Sequence, residues 1–227
     1  MSRITRVALA AAAASPALPG ARPEASGRPR PLATEICTAG ACHFDVPPGT
    51  YDVKVVLGGE TGSSTSISGE TRRSLLPETP AAAGEHVARS FTVNVRTPEG
   101  EPTGPDGTPG LDLTVGGSAP ALADISVTPA RHTRQIFLVG DSTVCDQPGD
   151  PYSGWGQQLP QYLRKGLSVA NYADSGESTV TYLQNPRLWA TVRPLIRPGD
   201  LVLIQLAHND KTTDEVTYRT NLETLVA

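Results

Sequence analysis

The sequence predicts a chain of the α/β class in two parts. An antiparallel β-sandwich is expected over residues 34–131, followed over residues 135–227 by a partial three-layer α/β unit built on a parallel sheet. Three observations carry this expectation. The first part is a series of short runs that alternate apolar and polar residues, cut by Gly and Pro. The second contains continuous apolar runs, each followed by a helix-like segment. Across 227 residues there are 22 Gly, 21 Pro and only 5% aromatics, which favours strands and loops over a helical bundle.

Taken in order, residues 1–33 read as a signal peptide and linker. Two arginines precede an alanine-rich apolar run and then small residues, which is the outline of a secretory leader. That reading implies a secreted or extracytoplasmic protein; the alternative is an Ala/Pro-rich leader that stays in the cell. Cys37 and Cys42 are close enough to bridge a small loop, as suits an oxidising compartment. His43 beside Cys42 hints at a metal, but further ligands are lacking and no metal site is predicted. Cys145, left over, is expected to be a half-buried structural thiol.

Within the first part, Y-D-V-K-V-V-L, R-S-F-T-V-N-V-R, L-D-L-T-V and D-I-S-V have period-two alternation with β-branched residues, as in a sandwich. Pro98 to Gly110 carries too many Pro and Gly residues for a strand and reads as a long loop. After Arg134 the rhythm changes. Ile136–Val139 is a continuous apolar run, expected of a strand covered on both faces. W-G-Q-Q-L-P-Q-Y-L-R-K-G follows as a helix, S-V-A-N-Y-A as a second strand and N-P-R-L-W-A-T-V-R-P-L-I as a second helix. L-V-L-I-Q-L is then a third buried strand, and D-E-V-T-Y-R-T-N-L-E-T-L-V a third helix.

Charge and hydropathy exclude some classes. With 19 Lys+Arg against 23 Asp+Glu, the formal net charge of −4 leaves no electrostatic footprint for nucleic acid. No apolar run reaches the roughly 20 residues that span a bilayer, so no membrane partner is expected.

In a parallel sheet, ligands bind beyond the carboxyl ends of the strands. Gly140-Asp141-Ser142 follows the first of these strands, Asp174-Ser175-Gly176 the second, and Ala207-His208-Asn209-Asp210 the third. Ser142 in a tight turn is a candidate nucleophile. Gly176 allows close approach to its N–H, and the Asn209 amide is a candidate oxyanion donor. Acyl transfer requires such an activated hydroxyl and preorganised donors, and it needs no cofactor. Taken singly, each piece is an ordinary turn, with Asp141 acting as a cap; their order and shared edge make the combination specific.

G-D-S-T-V, Y-A-D-S-G-E-S-T and P-G-D-L-V-L-I-Q-L-A-H-N-D resemble the first three blocks of the SGNH (GDSL) hydrolases. G-D-S-T-V, G-W-G-Q-Q-L-P and Q-L-A-H-N-D are most similar to bacterial rhamnogalacturonan acetylesterases. The resemblance implies that Ser142 is the catalytic nucleophile, and that the oxyanion hole is formed by the Ser142 and Gly176 N–H groups with the Asn209 side chain. Asp141 and His208 are supporting residues. Ala207 stands where the family usually has Gly. The implied activity is hydrolysis of acetyl esters on pectin-type polysaccharide, so the implied partner is an acetylated polysaccharide. The region before the nucleophile is similar, more weakly, to the β-sandwich that precedes some of these esterases.

The family completes its triad with Asp-x-x-His, and no Asp here has His three positions later. Of the four histidines only His208 follows Ser142, and its neighbour Asn209 claims the opposite face, so a packing or supporting role is expected for it. Residues 135–227 fall short of the roughly 100–200 usual for a domain. The chain is therefore read as an incomplete esterase of low activity. Two alternatives compete. One is a carbohydrate-binding or degenerate protein that would use Phe44, Tyr51 and Phe91 or the Arg72-Arg73 pair, although core packing and solvation are the default roles for these residues. The other is an SGNH lipase or thioesterase with Trp155 and Trp189 lining an acyl site, although each also fits the apolar face of its helix.

Overall fold

Alternation in the first part becomes two antiparallel sheets in the computed structural model, which describes residues 37–227. The leader and linker expected over residues 1–33 lie outside the described residues. The strands are β1 (Cys37–Thr38), β2 (Ala41–Phe44), β3 (Gly49–Gly58), β4 (Ser63–Gly69), β5 (Arg73–Ala81), β6 (His86–Val95), β7 (Leu111–Ala119) and β8 (Leu122–Pro129). One sheet runs β1-β2-β7-β4-β5 and the other β6-β3-β8. Every second residue of β3, Val53, Val55 and Leu57, is fully buried. They meet Ile67 and Leu75 of the other sheet, with Phe91, Val93, Leu111 and Leu113, in one apolar cluster. Each such side chain contributes about 1.5–3 kcal/mol of burial. Cys37 and Cys42 face each other across the β1–β2 hairpin and are disulfide-bonded. The Pro/Gly-rich stretch falls, as expected, between β6 and β7.

The continuous apolar run is β9 (Arg134–Gly140), flanked by β10 (Leu167–Asn171) and β11 (Leu201–Gln205), both parallel to it, in the order β10-β9-β11. Both faces of β9 are covered, which is why its sequence does not alternate. Phe137 and Val139 join Tyr182, Leu188, Trp189 and Val192 on one side. Ile136 and Leu138 join Val144, Cys145 and Val169 on the other, with Trp155 and Leu159 against them. The expectation of a third buried strand is corrected. β11 is an edge strand with Leu201 56% and Leu203 42% exposed, because Val202 and Ile204 pack into the apolar cluster on one face while neither cluster takes up Leu201 or Leu203 on the other.

The helices are shorter than the sequence suggests. They are α1 (Trp155–Gln158), α2 (Thr179–Gln184), α3 (Trp189–Val192) and α4 (Glu215–Val226), with 3₁₀ turns at Leu159–Tyr162 and Arg193–Leu195. Pro160 and Pro194 cut the first two expected helices, since proline lacks the N–H that an α-helix interior needs. Helix α2 was not anticipated. It starts at a reciprocal capping box, in which Ser178 Oγ accepts from Thr181 N–H and Thr181 Oγ1 accepts from Ser178 N–H. All described residues fall in one compact unit.

Candidate active site

The central strand ends at Gly140, and the chain turns at once. The Asp141 carboxylate accepts from the Thr143 N–H (2.9 Å) and hydroxyl (2.8 Å), while its carbonyl accepts from the N–H groups of Val144 (2.9 Å) and Cys145 (3.0 Å). Asp141, 1% exposed, thus closes the turn that presents half-buried Ser142. Three elements hold this turn. Gln205 of β11 donates to Thr143 Oγ1 (2.8 Å), and Asn171 of β10 donates to the Val144 carbonyl (2.9 Å). The first N–H groups of α1, those of Trp155 and Gly156, donate to the Thr143 and Val144 carbonyls. A Cβ at Gly156 would lie 2.5 Å from the Val144 oxygen, so the G-W-G spacing permits this close approach.

The other two strand ends carry the residues expected as donors, Gly176 after β10 and Asn209 after β11. Gly176 has φ +82°, a conformation that favours glycine, and no atom lies within 4 Å of where its Cβ would be. The N–H groups of Thr143, Val144, Cys145, Asp174 and Ser175 all have acceptors. Those of Ser142 and Gly176 have none among the described residues. The Asn209 amide donates one hydrogen to the Glu177 carbonyl (3.0 Å), which leaves its second free. Gly176 and Asn209 line one depression of about 500 Å³ with Ser178 and Thr212. Ser142 is not among its lining residues; it is tied to the β10 turn through Gln147, whose amide nitrogen reaches the Ser142 carbonyl (2.9 Å) and Ser175 Oγ (3.4 Å). A larger cavity of about 640 Å³, lined by Arg96, Gln135 and Tyr172 among others, includes none of Ser142, Gly176 and Asn209 in its lining.

Several contributors were invisible in the sequence because their partners are distant. Glu101 of the β6–β7 loop accepts from the Ser175 N–H (2.8 Å) and from the Cys145 thiol (2.9 Å). Thr103 of the same loop donates to Asp174 through its N–H (2.9 Å) and hydroxyl (2.7 Å). Burial raises the Asp174 and Glu177 pKa values, against the pull of Thr103 and Thr181 respectively. Burial, helped by the Glu101 carboxylate, also raises that of Cys145, so the thiol stays neutral. Asp210 binds the α2 start, accepting from Thr179 N–H and Oγ1 (2.6 Å).

Other expectations change. Arg72 and Arg73 are not a solvated pair: Arg73 is 1% exposed and ion-paired to Asp146 at 2.6 Å. Arg72 reaches the Gln147 and Tyr152 carbonyls and the Asp150 carboxylate. Both are consumed by the chain that follows Ser142, which removes them as sugar contacts. Tyr51 and Phe91 are buried in the core, and Phe44 packs against it. Cys145 is fully rather than half buried. His208 is exposed and makes no hydrogen bond among the described residues, so it has no packing role. The His43 ring pairs with Asp112 (2.7 Å) and Asp45 (3.3 Å). Trp189 is a core residue, and Trp155 donates its indole N–H to Gln205 (2.9 Å).

Residues 136–227 match the family described as GDSL-like Lipase/Acylhydrolase. The chain is 44% identical over 79 residues to rhamnogalacturonan acetylesterase RhgT of Bacillus subtilis (strain 168), covering 34% of each protein. It is 30% identical over 172 residues to the uncharacterized esterase YxiM of the same organism, covering 74% of this chain and 42% of that one. A crystal structure of the B. subtilis YxiM protein superposes with a TM-score of 0.40 at 26% identity, over 82% of this chain and 52% of that one. The chain spans about a third to two fifths of the length of these curated relatives.

Proposed function

We propose, for a chain whose residues 136–227 belong to the GDSL-like lipase/acylhydrolase family, that it is a serine esterase of the carbohydrate O-acetylesterase type. Its substrate is an acetylated pectin-type polysaccharide of the rhamnogalacturonan class. Ser142 Oγ attacks the acetyl carbonyl. The developing oxyanion is held by the N–H groups of Ser142 and Gly176 and by the Asn209 amide; the ester C–O bond breaks, the sugar leaves as its hydroxyl with the serine proton, and water then hydrolyses the acetyl-Ser142 ester to acetate. One preorganised donor of this kind lowers the barrier by about 3 kcal/mol. The observation that carries the reading is that the N–H groups of Ser142 and Gly176 have no acceptor among the described residues, whereas those of Thr143, Val144, Cys145, Asp174 and Ser175 do.

The substrate class is supported by the likeness to rhamnogalacturonan acetylesterases. The facing antiparallel sheets are read as a β-sandwich accessory domain over residues 34–131, joined to a hydrolase domain over residues 135–227. A leader at residues 1–33 directs export, a reading supported by the Cys37–Cys42 disulfide. Among these 227 residues no Asp-x-x-His accompanies Ser142, so a polypeptide of these residues alone is expected to turn over slowly. Donors and binding alone leave about 10³-fold over water in a protease stripped of its triad. The test is acetate release from acetylated rhamnogalacturonan, with p-nitrophenyl acetate compared against longer acyl esters. Slow release, preference for acetyl and loss in Ser142→Ala are expected. A rate unchanged by Ser142→Ala, or a preference for long acyl chains, would remove the reading.

A further inference from the structure

We propose that Glu101 is a positioning residue for the oxyanion turn, supplied to the α/β part by the antiparallel sheets. The inference rests on the esterase reading for its consequence, but its geometry stands alone. Glu101 lies in the β6–β7 loop, far in sequence from the residues it touches. One oxygen, Oε1, accepts from the Ser175 N–H at 2.8 Å and from Cys145 Sγ at 2.9 Å. It therefore ties the turn after β10 to the turn after β9, three residues beyond Ser142. Two residues on, Thr103 grips the Asp174 carboxylate with its N–H and hydroxyl. Arg187 in turn holds the Thr103 and Gly104 carbonyls at 3.0 and 3.3 Å, so the loop is fixed from its other side.

The consequence is a choice between two adjacent donors. A turn with consecutive open N–H groups could offer either to an oxyanion. The Glu101 carboxylate takes the Ser175 N–H and leaves that of Gly176, the next peptide, without a protein acceptor. A charged acceptor makes a shorter and stronger hydrogen bond than a neutral one, so the direction of the following peptide plane is set by the loop. The neutral Cys145 thiol, fully buried, gives the same oxygen a second donor and fixes its place.

Hydrogen exchange on the full chain, resolved at residues 172–178, decides this in the wild type, Glu101→Ala and Glu101→Gln. Loss of one hydrogen bond to a charged group should speed exchange of the Ser175 amide by about tenfold or more in Glu101→Ala. Glu101→Gln keeps an acceptor oxygen and should retain most of the protection. A merely structural role would instead speed exchange throughout the sheets. Uniform change, or no change at Ser175, overturns the proposal. Labelling of Ser142 by a fluorophosphonate is followed in parallel: a slower reaction in Glu101→Ala, rescued in Glu101→Gln, links the clamp to the oxyanion hole. Without a matched base the wild type is expected to label slowly; if prolonged incubation labels it no more than Ser142→Ala, the esterase reading fails, and the exchange result still decides whether Glu101 positions the turn.

Discussion

At the scale of the residue, Gly176 shows how one side chain could undo the site. Its φ of +82° is strained for any residue with a Cβ, although space around it is open. Gly176→Ala should therefore lower stability by about 1 kcal/mol, and more tellingly should reorient the free N–H and lower the rate of acyl transfer. Urea denaturation beside initial-rate kinetics checks both. Glu70, in the β4–β5 turn, has its pKa raised to about 7 by burial, with Glu99 adding and Arg73 opposing. A carboxyl whose folded pKa exceeds its unfolded value binds its proton more tightly when folded. Its contribution is complete below about pH 4.5 and is lost as pH rises through about 7, on the order of 3 kcal/mol. Replacing it, Glu70→Gln, should flatten that part of the stability profile measured between pH 4 and 8.

At the scale of the element, the β4–β5 hairpin holds the chain that leaves the turn at Ser142. Arg73 donates to Asp146 and to the Asn94 and Glu99 carbonyls (2.7 Å each), and Asn171 completes the carboxylate at 2.8 Å. Burial alone would lower the Arg73 pKa; the Asp146 charge and hydrogen bond, together with the Glu70 and Glu99 charges, more than offset it. Arg96, also buried and near Arg73, is lowered to about 10 and remains a cation at neutral pH. Asp146→Ala leaves two buried cations uncompensated and should cost about 3–5 kcal/mol in denaturant unfolding. Element types were legible where periodicity was strong, as in β3, β6 and β9. They were not where proline interrupted an apolar helical stripe, at Pro160 and Pro194. The serine-rich β4 and the capping box at Ser178 carried signals too short to stand out from an ordinary turn. Ser142, Gly176 and Asn209 could be placed because each follows a strand in sequence. Glu101, Gln147 and Asp146 could not, since their partners are set by packing between segments that no local pattern connects.

At the scale of the whole molecule, the antiparallel and parallel parts share buried polar contacts. Besides the Arg73–Asp146 pair, Gln157 donates to the Thr71 carbonyl at 2.7 Å, and Gln135 to Thr50 Oγ1 at 2.6 Å. Unfolding in urea should therefore be a single transition when tryptophan fluorescence, which reports Trp155 and Trp189, is compared with far-ultraviolet circular dichroism. Two separated transitions would show that the parts are energetically independent. The change of rhythm after Arg134 is legible in the sequence, but this mutual dependence is not, because alternation reports which face is buried and not what lies against it. The reading of the site is tested most directly by adding imidazole as an external base to the wild type and to Ser142→Ala, with p-nitrophenyl acetate as substrate. If Ser142 is the nucleophile proposed, an external base should accelerate a polypeptide of these 227 residues beyond the background measured in Ser142→Ala. Equal rates in the two proteins at every imidazole concentration would contradict a catalytic role for Ser142.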